Sequence, residues 1–207
     1  MKAKRLSFTV AVVFIMASGC FADLIINGGV EGGTGIADLP SWTSWGPSGT
    51  LEGNYFHGGA QCARFWWDDT GLFQNFNVTV GVGYTAQCYF YTPTADRYTW
   101  NGGNSTYTSL KIEWYQADNT TPAGASVETA HFTPDDAADT WAQRTVTGTA
   151  PVSAVYGRVV VAIGGAAPGS GTVAFDDVSV NAVPEPATVA LLGGGALIAM
   201  LARRKRK

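Results

Sequence analysis

Short apolar segments alternate with polar, glycine-rich turns through most of this 207-residue chain. Within several segments the side chains alternate with a period of two, as where Leu110, Ile112 and Trp114 alternate with Lys111, Glu113 and Tyr115. This period is typical of strands with one buried face. The predicted strands are 23–26, 61–67, 71–80, 84–91, 109–116, 141–147, 155–163 and 172–180. They predict an all-β domain, an antiparallel β-sandwich, with long loops near 36–59 and 94–106 and a possible helical turn only near 134–139.

The N-terminal segment has a different pattern. Three cations lie within the first five residues, and the apolar run 8–16 and small residues follow them. This order predicts a secretory signal peptide, a short helix within residues 1–22 that is removed by cleavage after Ala22. Lipidation of Cys20 is the alternative, because the preceding Ala17-Ser18-Gly19 loosely resembles a lipobox.

The C-terminal segment, 183–207, has three consecutive parts. Val183 is followed by Pro184, Glu185 and Pro186, then by the apolar stretch 187–202 and by the five cations 203–207. The prolines favour an extended, accessible backbone, and the apolar stretch can just cross a thin bilayer as a single transmembrane helix. The basic end would then stay in the cytoplasm.

This order of motif, helix and basic cluster resembles the PEP-CTERM sorting signal of Gram-negative bacteria. The resemblance implies export across the inner membrane to the cell envelope, cell surface or extracellular matrix. It also implies that a membrane protease of the exosortase type cuts near Pro184-Glu185-Pro186. A permanent membrane anchor through the C-terminal helix is the alternative.

Without its two ends the chain is strongly acidic. The whole chain has a formal charge of −3, but eight of its thirteen cations lie in the end segments. The remaining domain, 23–182, keeps five basic and fifteen acidic residues, a net charge of −10. Nucleic acids and anionic lipid surfaces bind cationic surfaces, so we expect neither as a partner.

The domain has two cysteines, Cys62 and Cys88. An even number of cysteines in an oxidising compartment predicts a disulfide between them. Two buried free thiols are the alternative, because no spacing or neighbouring histidine indicates metal binding or nucleophilic chemistry.

Catalysis is not expected in this domain. Its histidines, His57 and His131, belong to no recognisable triad or metal motif. Pairs of adjacent carboxylates occur, but neighbouring side chains on a strand point to opposite faces and would not flank one glycosidic bond. The sequence therefore predicts a protein that is not an enzyme.

Three parts of the domain carry recognisable motifs. Residues 24–33 read Leu-Ile-Ile-Asn-Gly-Gly-Val-Glu-Gly-Gly, residues 73–80 precede a Gly-Tyr-Thr turn at 83–85, and residues 173–180 read Val-Ala-Phe-Asp-Asp-Val-Ser-Val. Together they resemble the first loop, a central hairpin and the closing strand of jelly-roll carbohydrate-binding modules of families four and nine, which are galactose-binding-like sandwiches. The resemblance implies a jelly-roll fold and non-catalytic binding of extracellular polysaccharide.

The same resemblance implies a structural calcium ion where the first loop meets the last strand. Its expected ligands are Glu31 with Asp176 or Asp177, since hard cations prefer oxygen donors. The alternative is that the buried carboxylate accepts hydrogen bonds from backbone amides of the first loop.

Sugar rings stack on aromatic side chains, while carboxylates and amides bind their hydroxyl groups. The ligand-binding residues predicted on this basis are Trp42, Trp45, Tyr98, Trp100, Glu113 and Tyr115. We assign Trp66, Trp114 and Trp141 to the core, where aromatic residues are equally common. The alternative function is a structural or adhesive matrix protein with no small ligand.

Overall fold

The computed structural model describes residues 22–46, 49–66, 69–100, 107–164 and 171–183. They belong to one compact unit, Phe21–Val183. Two short 3₁₀ turns, Ile36–Asp38 and Thr94–Asp96, accompany the strands of this part of the chain. The strands are β1 Thr43–Trp45, β2 Gly49–Glu52, β3 Cys62–Trp66, β4 Thr70–Asn77, β5 Gly83–Tyr91, β6 Tyr107–Tyr115, β7 Val127–Glu128, β8 Ala142–Thr149, β9 Tyr156–Gly164 and β10 Thr172–Val183.

These strands form two antiparallel five-stranded sheets, which confirms the predicted all-β class. The first sheet has the order β1-β4-β9-β6-β7, and the second sheet has the order β2-β3-β10-β5-β8. Neighbours in each sheet are mostly distant in sequence, so the register brings together residues that no local pattern connects.

The period-two pattern decides which side chains fill the core between the sheets. Leu110, Ile112 and Trp114 of β6 are buried, and in the second sheet Phe65 of β3 stacks on Phe175 of the neighbouring strand β10 with ring centroids 5.3 Å apart. Each such side chain contributes roughly 1.5–3 kcal/mol to stability by leaving water. The intervening residues of each strand form the outer faces, where polar and aromatic side chains remain partly exposed.

Strand β10 contains a bulge that points two carboxylates toward one loop. Its register against β5 shifts between Asp176 and Ser179, and Asp177 has a φ of 48°. A bulge leaves an extra residue unpaired and turns side chains away from the regular alternation. Asp176 and Asp177 therefore both reach the loop before β3.

The two ends of the described sandwich lie side by side. The backbone N–H of Leu24 donates to the Val180 carbonyl at 2.9 Å, and the Val180 N–H donates to Asp23 Oδ1 at 2.9 Å. The predicted strand 23–26 is nevertheless wrong. The chain turns after Leu24, with Asn27 at a φ of 57°, and although the Val178 N–H donates to the Gly28 carbonyl at 2.9 Å, residues 23–26 form no strand.

The other predicted strands correspond to β3, β4, β5, β6, β8, β9 and β10 with shifted ends. Strands β1, β2 and β7 were not predicted: β1 and β2 lie inside the glycine-rich stretch 36–59 that reads as a loop, and β7 has only two residues. Among the described residues there is no helix long and apolar enough to cross a membrane. The predicted signal helix and the predicted transmembrane helix, 187–202, fall outside the described residues.

The predicted disulfide is not formed. Both Cys62 and Cys88 are buried free thiols. β10 runs between their strands, which puts them two strand spacings, about 9.5 Å, apart. A disulfide needs Cα atoms roughly 4.4–6.8 Å apart. Cys88 also packs in the core, while the Cys62 thiol donates to the Tyr55 carbonyl on the outer side of the sheet.

Candidate functional site

The outer face of the first sheet gathers aromatic and hydrogen-bonding side chains from four strands. Phe73 and Asn75 of β4 point outward because Leu72, Gln74 and Phe76 fill the core side. Asn75 lies opposite Arg158 of β9, and Arg158 lies opposite Glu113 of β6. We call this surface the aromatic face; its residues are Trp45, Phe73, Asn75, Glu113, Tyr115 and Arg158.

Arg158 is the centre of the aromatic face. Its guanidinium carbon lies 4.4 Å from the ring centroid of Phe73 and 4.2 Å from that of Tyr115. Its Nε–H donates to Asn75 Oδ1 at 2.8 Å, and a terminal nitrogen donates to the Asn119 carbonyl at 3.3 Å. Each cation–π contact contributes about 0.5–1 kcal/mol at a partly exposed site. The guanidinium is therefore held in one orientation before any ligand binds.

Tyr115 and Glu113 are fixed to each other beside this arginine. The Tyr115 hydroxyl donates to Glu113 Oε2 at 2.8 Å. Burial, followed by this hydrogen bond, raises the pKa of Tyr115, so the phenol stays neutral. The second Glu113 oxygen is then an acceptor that could bind a ligand hydroxyl.

Trp45 extends the aromatic face to the edge strand. Its ring centroid lies 6.2 Å from that of Phe73, and its Nε1–H donates to Asp69 at 3.4 Å. The face thus combines a partly exposed indole with an arginine, a carboxylate and an amide. Apolar surfaces with a few convergent polar groups are typical of small-molecule sites.

The structure separates the six predicted ligand-binding residues. Trp45, Glu113 and Tyr115 lie together on the aromatic face. Trp42 and Tyr98 are core residues, 8% and 2% exposed, and the Trp42 indole donates to the Asn27 carbonyl. These two cannot stack on a sugar without unfolding their surroundings, so their predicted role is wrong.

Trp100 lies in the loop between β5 and β6, where its indole N–H donates to Asp135 at 3.2 Å, and its role in binding stays a prediction. Three residues of the aromatic face were not predicted as ligand-binding residues: Phe73, Asn75 and Arg158. The outward positions of β4 are readable from its alternation, but the pairing of Arg158 with them depends on a register between distant strands.

The three predicted metal ligands converge on the loop before β3. Glu31 Oε1 accepts from the N–H groups of Ala60 and Gln61 at 2.7 and 3.3 Å. Asp177 Oδ2 lies 2.6 Å from the Nδ1 atom of His57. The carboxylates therefore tie this glycine-containing loop to the bulge of β10.

Asp176 is fully buried beneath the loop. Its Oδ2 accepts from the N–H groups of His57 and Gly58 at 2.8 and 3.0 Å, and its Oδ1 accepts from that of Asp177 at 2.7 Å. Burial raises the pKa of Asp176 to about 6, although these N–H groups oppose the rise.

This arrangement does not fit a calcium ion, because both Asp176 oxygens already face N–H groups rather than a space for a cation. Within the described residues no set of three or more His, Cys, Asp or Glu side chains has the geometry to hold a metal. Two of the donors, His57 and Gly58, lie in the loop before β3 and the third is Asp177 itself, whereas the sequence predicted donors from the first loop. The calcium site stays a prediction.

The C-terminal segment matches a known sorting signal. Residues 182–207 match the PEP-CTERM protein-sorting motif, which confirms the motif predicted at Pro184, Glu185 and Pro186. The motif indicates export, sorting to the cell envelope and processing by an exosortase. No curated protein sequence matches the chain.

Solved structures share the fold of the sandwich. A family 61 carbohydrate-binding module, solved with β-1,4-galactotriose, has a TM-score of 0.51 at 16% identity, covering 78% of this chain and 99% of the module. The enzymatically active domain of tailspike protein 4 of bacteriophage CBA120 has a TM-score of 0.56 at 10% identity, covering 78% of this chain and 21% of that one.

An arabinose-bound family 51 α-L-arabinofuranosidase has a TM-score of 0.55 at 17% identity, covering 78% of this chain and 26% of the enzyme. This chain thus spans about a quarter of each enzyme. At these identities the similarity shows the fold alone, and the predicted resemblance to jelly-roll carbohydrate-binding modules is confirmed at that level. The chain is a jelly-roll β-sandwich with a PEP-CTERM sorting signal.

Proposed function

We propose that this is a non-catalytic carbohydrate-binding protein, exported to the envelope or extracellular matrix of a Gram-negative bacterium, that holds a glycan on its aromatic face. The observation that carries the proposal is Arg158, fixed between two rings and two asparagines beside Glu113, whose Oε1 accepts no hydrogen bond from the described residues. Such a group is already oriented, so binding a sugar hydroxyl costs little conformational entropy.

The carboxylates of this face support binding rather than hydrolysis. Glycoside hydrolysis needs two carboxyl groups, one of which is a general acid with a raised pKa. Glu113 accepts from Tyr115, and Glu128 at the neighbouring edge is paired with Lys111 at 3.6 Å and bonded to His131. Both are engaged as acceptors, which suits a binding site.

The sorting signal supports the rest of the proposal. Cleavage after Ala22 and near Glu185 would release an acidic sandwich without either apolar segment. Mass spectrometry of the mature protein tests this step. An N-terminus at Asp23 and a C-terminus near Pro186 are expected, whereas a lipid-modified Cys20 or an intact 187–202 segment would show a membrane anchor instead.

A glycan array probed with the full chain tests the binding function. The chain should be kept in a detergent without a sugar headgroup, so that the detergent does not compete. We expect saturable binding that falls at least tenfold, about 1.4 kcal/mol, for Tyr115→Ala and Arg158→Ala. Val152→Ala, which shortens an exposed side chain in the turn before β9, is the control and should bind like the original chain.

If the folded protein binds no glycan on the array, the proposal is contradicted. This result would favour the alternative, a structural or adhesive matrix protein without a small ligand, which the sorting signal alone equally allows. Binding that survives both aromatic-face variants would show that the glycan binds elsewhere.

A further inference from the structure

The outer face of the second sheet contains a pocket that the aromatic face does not involve. Its volume is about 350 Å³. Pockets of roughly 300–1,000 Å³ are the usual size of small-molecule sites. Strands β2, β3 and β10 form its floor, and the 3₁₀ turn Thr94–Asp96 forms one wall. The lining residues are Thr50, Arg64, Trp66, Asp96, Gly171 and Thr172.

The wall of this pocket is fixed in place. Gly171 has a φ of 82°, and a Cβ there would lie 1.9 Å from the Arg97 carbonyl oxygen, so only glycine lets the two segments approach this closely. Arg97 forms a parallel bridge with Thr172, and the Thr172 hydroxyl donates to the Asp96 carbonyl at 3.5 Å. The turn that carries Asp96 is therefore tied to the start of β10.

The charges in the pocket favour an uncharged ligand. Arg64 lies between two carboxylates, with N–O distances of 3.2 Å to Glu52 and 2.5 Å to Asp96. One cation between two anions gives a local charge near −1, which disfavours acidic glycans. The same groups can donate to and accept from hydroxyls, and the partly exposed Trp66 indole offers a surface for a sugar ring.

Aromatic rings continue from the pocket along the same face. Arg64 pairs with Ala174, which pairs with Tyr91 on the next strand. The Tyr91 ring centroid lies 5.0 Å from that of Tyr55 and 5.0 Å from that of Trp141, and all three residues are partly exposed. A chain of several sugar residues that starts in the pocket would meet these rings next.

We propose that this pocket is a second carbohydrate-binding site, which takes a neutral sugar residue and lies on the opposite side of the sandwich from the aromatic face. Binding in the pocket stands on its own observations. The consequence, that one molecule holds two glycan chains at once, rests on the proposed function of the aromatic face.

The test compares four forms of the full chain on one array of neutral and acidic oligosaccharides that includes β-1,4-galactotriose. The forms are the original chain, Tyr115→Ala for the aromatic face, Trp66→Ala for the pocket, and Thr50→Trp, which fills the pocket from a partly exposed edge strand while leaving Trp66 in place. Val152→Ala, which shortens an exposed side chain in the turn before β9, is the control, and melting temperatures verify folding.

We expect a set of neutral glycans whose signal falls at least tenfold with Trp66→Ala and with Thr50→Trp and persists with Tyr115→Ala. Beads coated with a neutral glycan from the array should be agglutinated by the original chain and not by either single-face variant. The second site alone would be overturned if Tyr115→Ala abolished binding to every glycan, or if neither Trp66→Ala nor Thr50→Trp weakened binding to any glycan. Loss confined to acidic glycans would overturn the neutral ligand, and an array silent with the original chain would overturn both sites.

Discussion

Replacing Asp176 by asparagine tests how the buried carboxylate under the loop before β3 affects stability. Asp176 has a folded pKa of about 6 against the ordinary 3.8, with burial as the main cause. The folded protein therefore binds this proton more tightly than the unfolded chain does. The stability that the protonated Asp176 carboxyl contributes is fully present below about pH 4 and is lost as the pH rises through about 6.

The size of the effect follows from the shift. Two pKa units correspond to about 3 kcal/mol in full, of which roughly 2.5 kcal/mol falls between pH 4 and pH 7. The Asp176→Asn side chain resembles the protonated carboxyl and cannot ionise. The stability of the variant relative to the original protein should therefore rise by about 2.5 kcal/mol between pH 4 and pH 7.

Urea unfolding of the unit Phe21–Val183, followed by tryptophan fluorescence, measures this difference. Without the basic ends this unit has five basic and fifteen acidic residues, so its isoelectric point lies below the 5.3 of the whole chain; pH 4, 6.5 and 7.5 are suitable at low protein concentration, which limits aggregation at pH 4. Asp118→Asn is a control of opposite sign, because hydrogen bonds from Thr121 and Thr120 hold the pKa of Asp118 at about 2. A difference for Asp176→Asn that is constant or falls with pH would show that the three N–H donors outweigh burial.

Three further results are expected. Saturating calcium should leave the melting temperature of the sandwich unchanged, because Asp176 already faces N–H groups; a rise of several degrees would show that the predicted calcium site forms. Cys62 and Cys88 should resist a thiol reagent in the folded protein, since burial raises the pKa of Cys62 to about 12 and that of Cys88 well above its usual value, and both should react after unfolding; a mass lower by two hydrogens would indicate a disulfide. Trp42→Ala should lower the unfolding free energy by about 3–5 kcal/mol without changing glycan binding, and lost binding at full stability would return Trp42 to the site.

The strand pattern was predictable because each strand has one buried face. The alternation around Leu110 and Phe76 gives both the element and the side that faces the core. Strands β1 and β2 were not predictable in this way, since they are short and lie among glycines. Strand β1 forms by pairing with β4, and strand β2 forms by pairing with β3.

The site was predictable only in part. Trp45, Glu113 and Tyr115 could be chosen from residue type, but residue type also selected Trp42, which fills the core. Trp66 and Trp141, which were assigned to the core, are instead partly exposed rings on the second sheet. Aromatic side chains suit both environments, so only the register between strands distinguishes them. The disulfide failed for the same reason, because the number of cysteines says nothing about the strand between them.

The contact of Asp23 and Leu24 with Val180 places the first and last segments of the described sandwich side by side. A domain whose ends are adjacent can be exchanged, duplicated or inserted into another chain without disturbing its packing. Exchanging the export and sorting segments would leave its strands in place. The β-sandwich is thus expected to keep its fold when it is joined to other export or sorting segments.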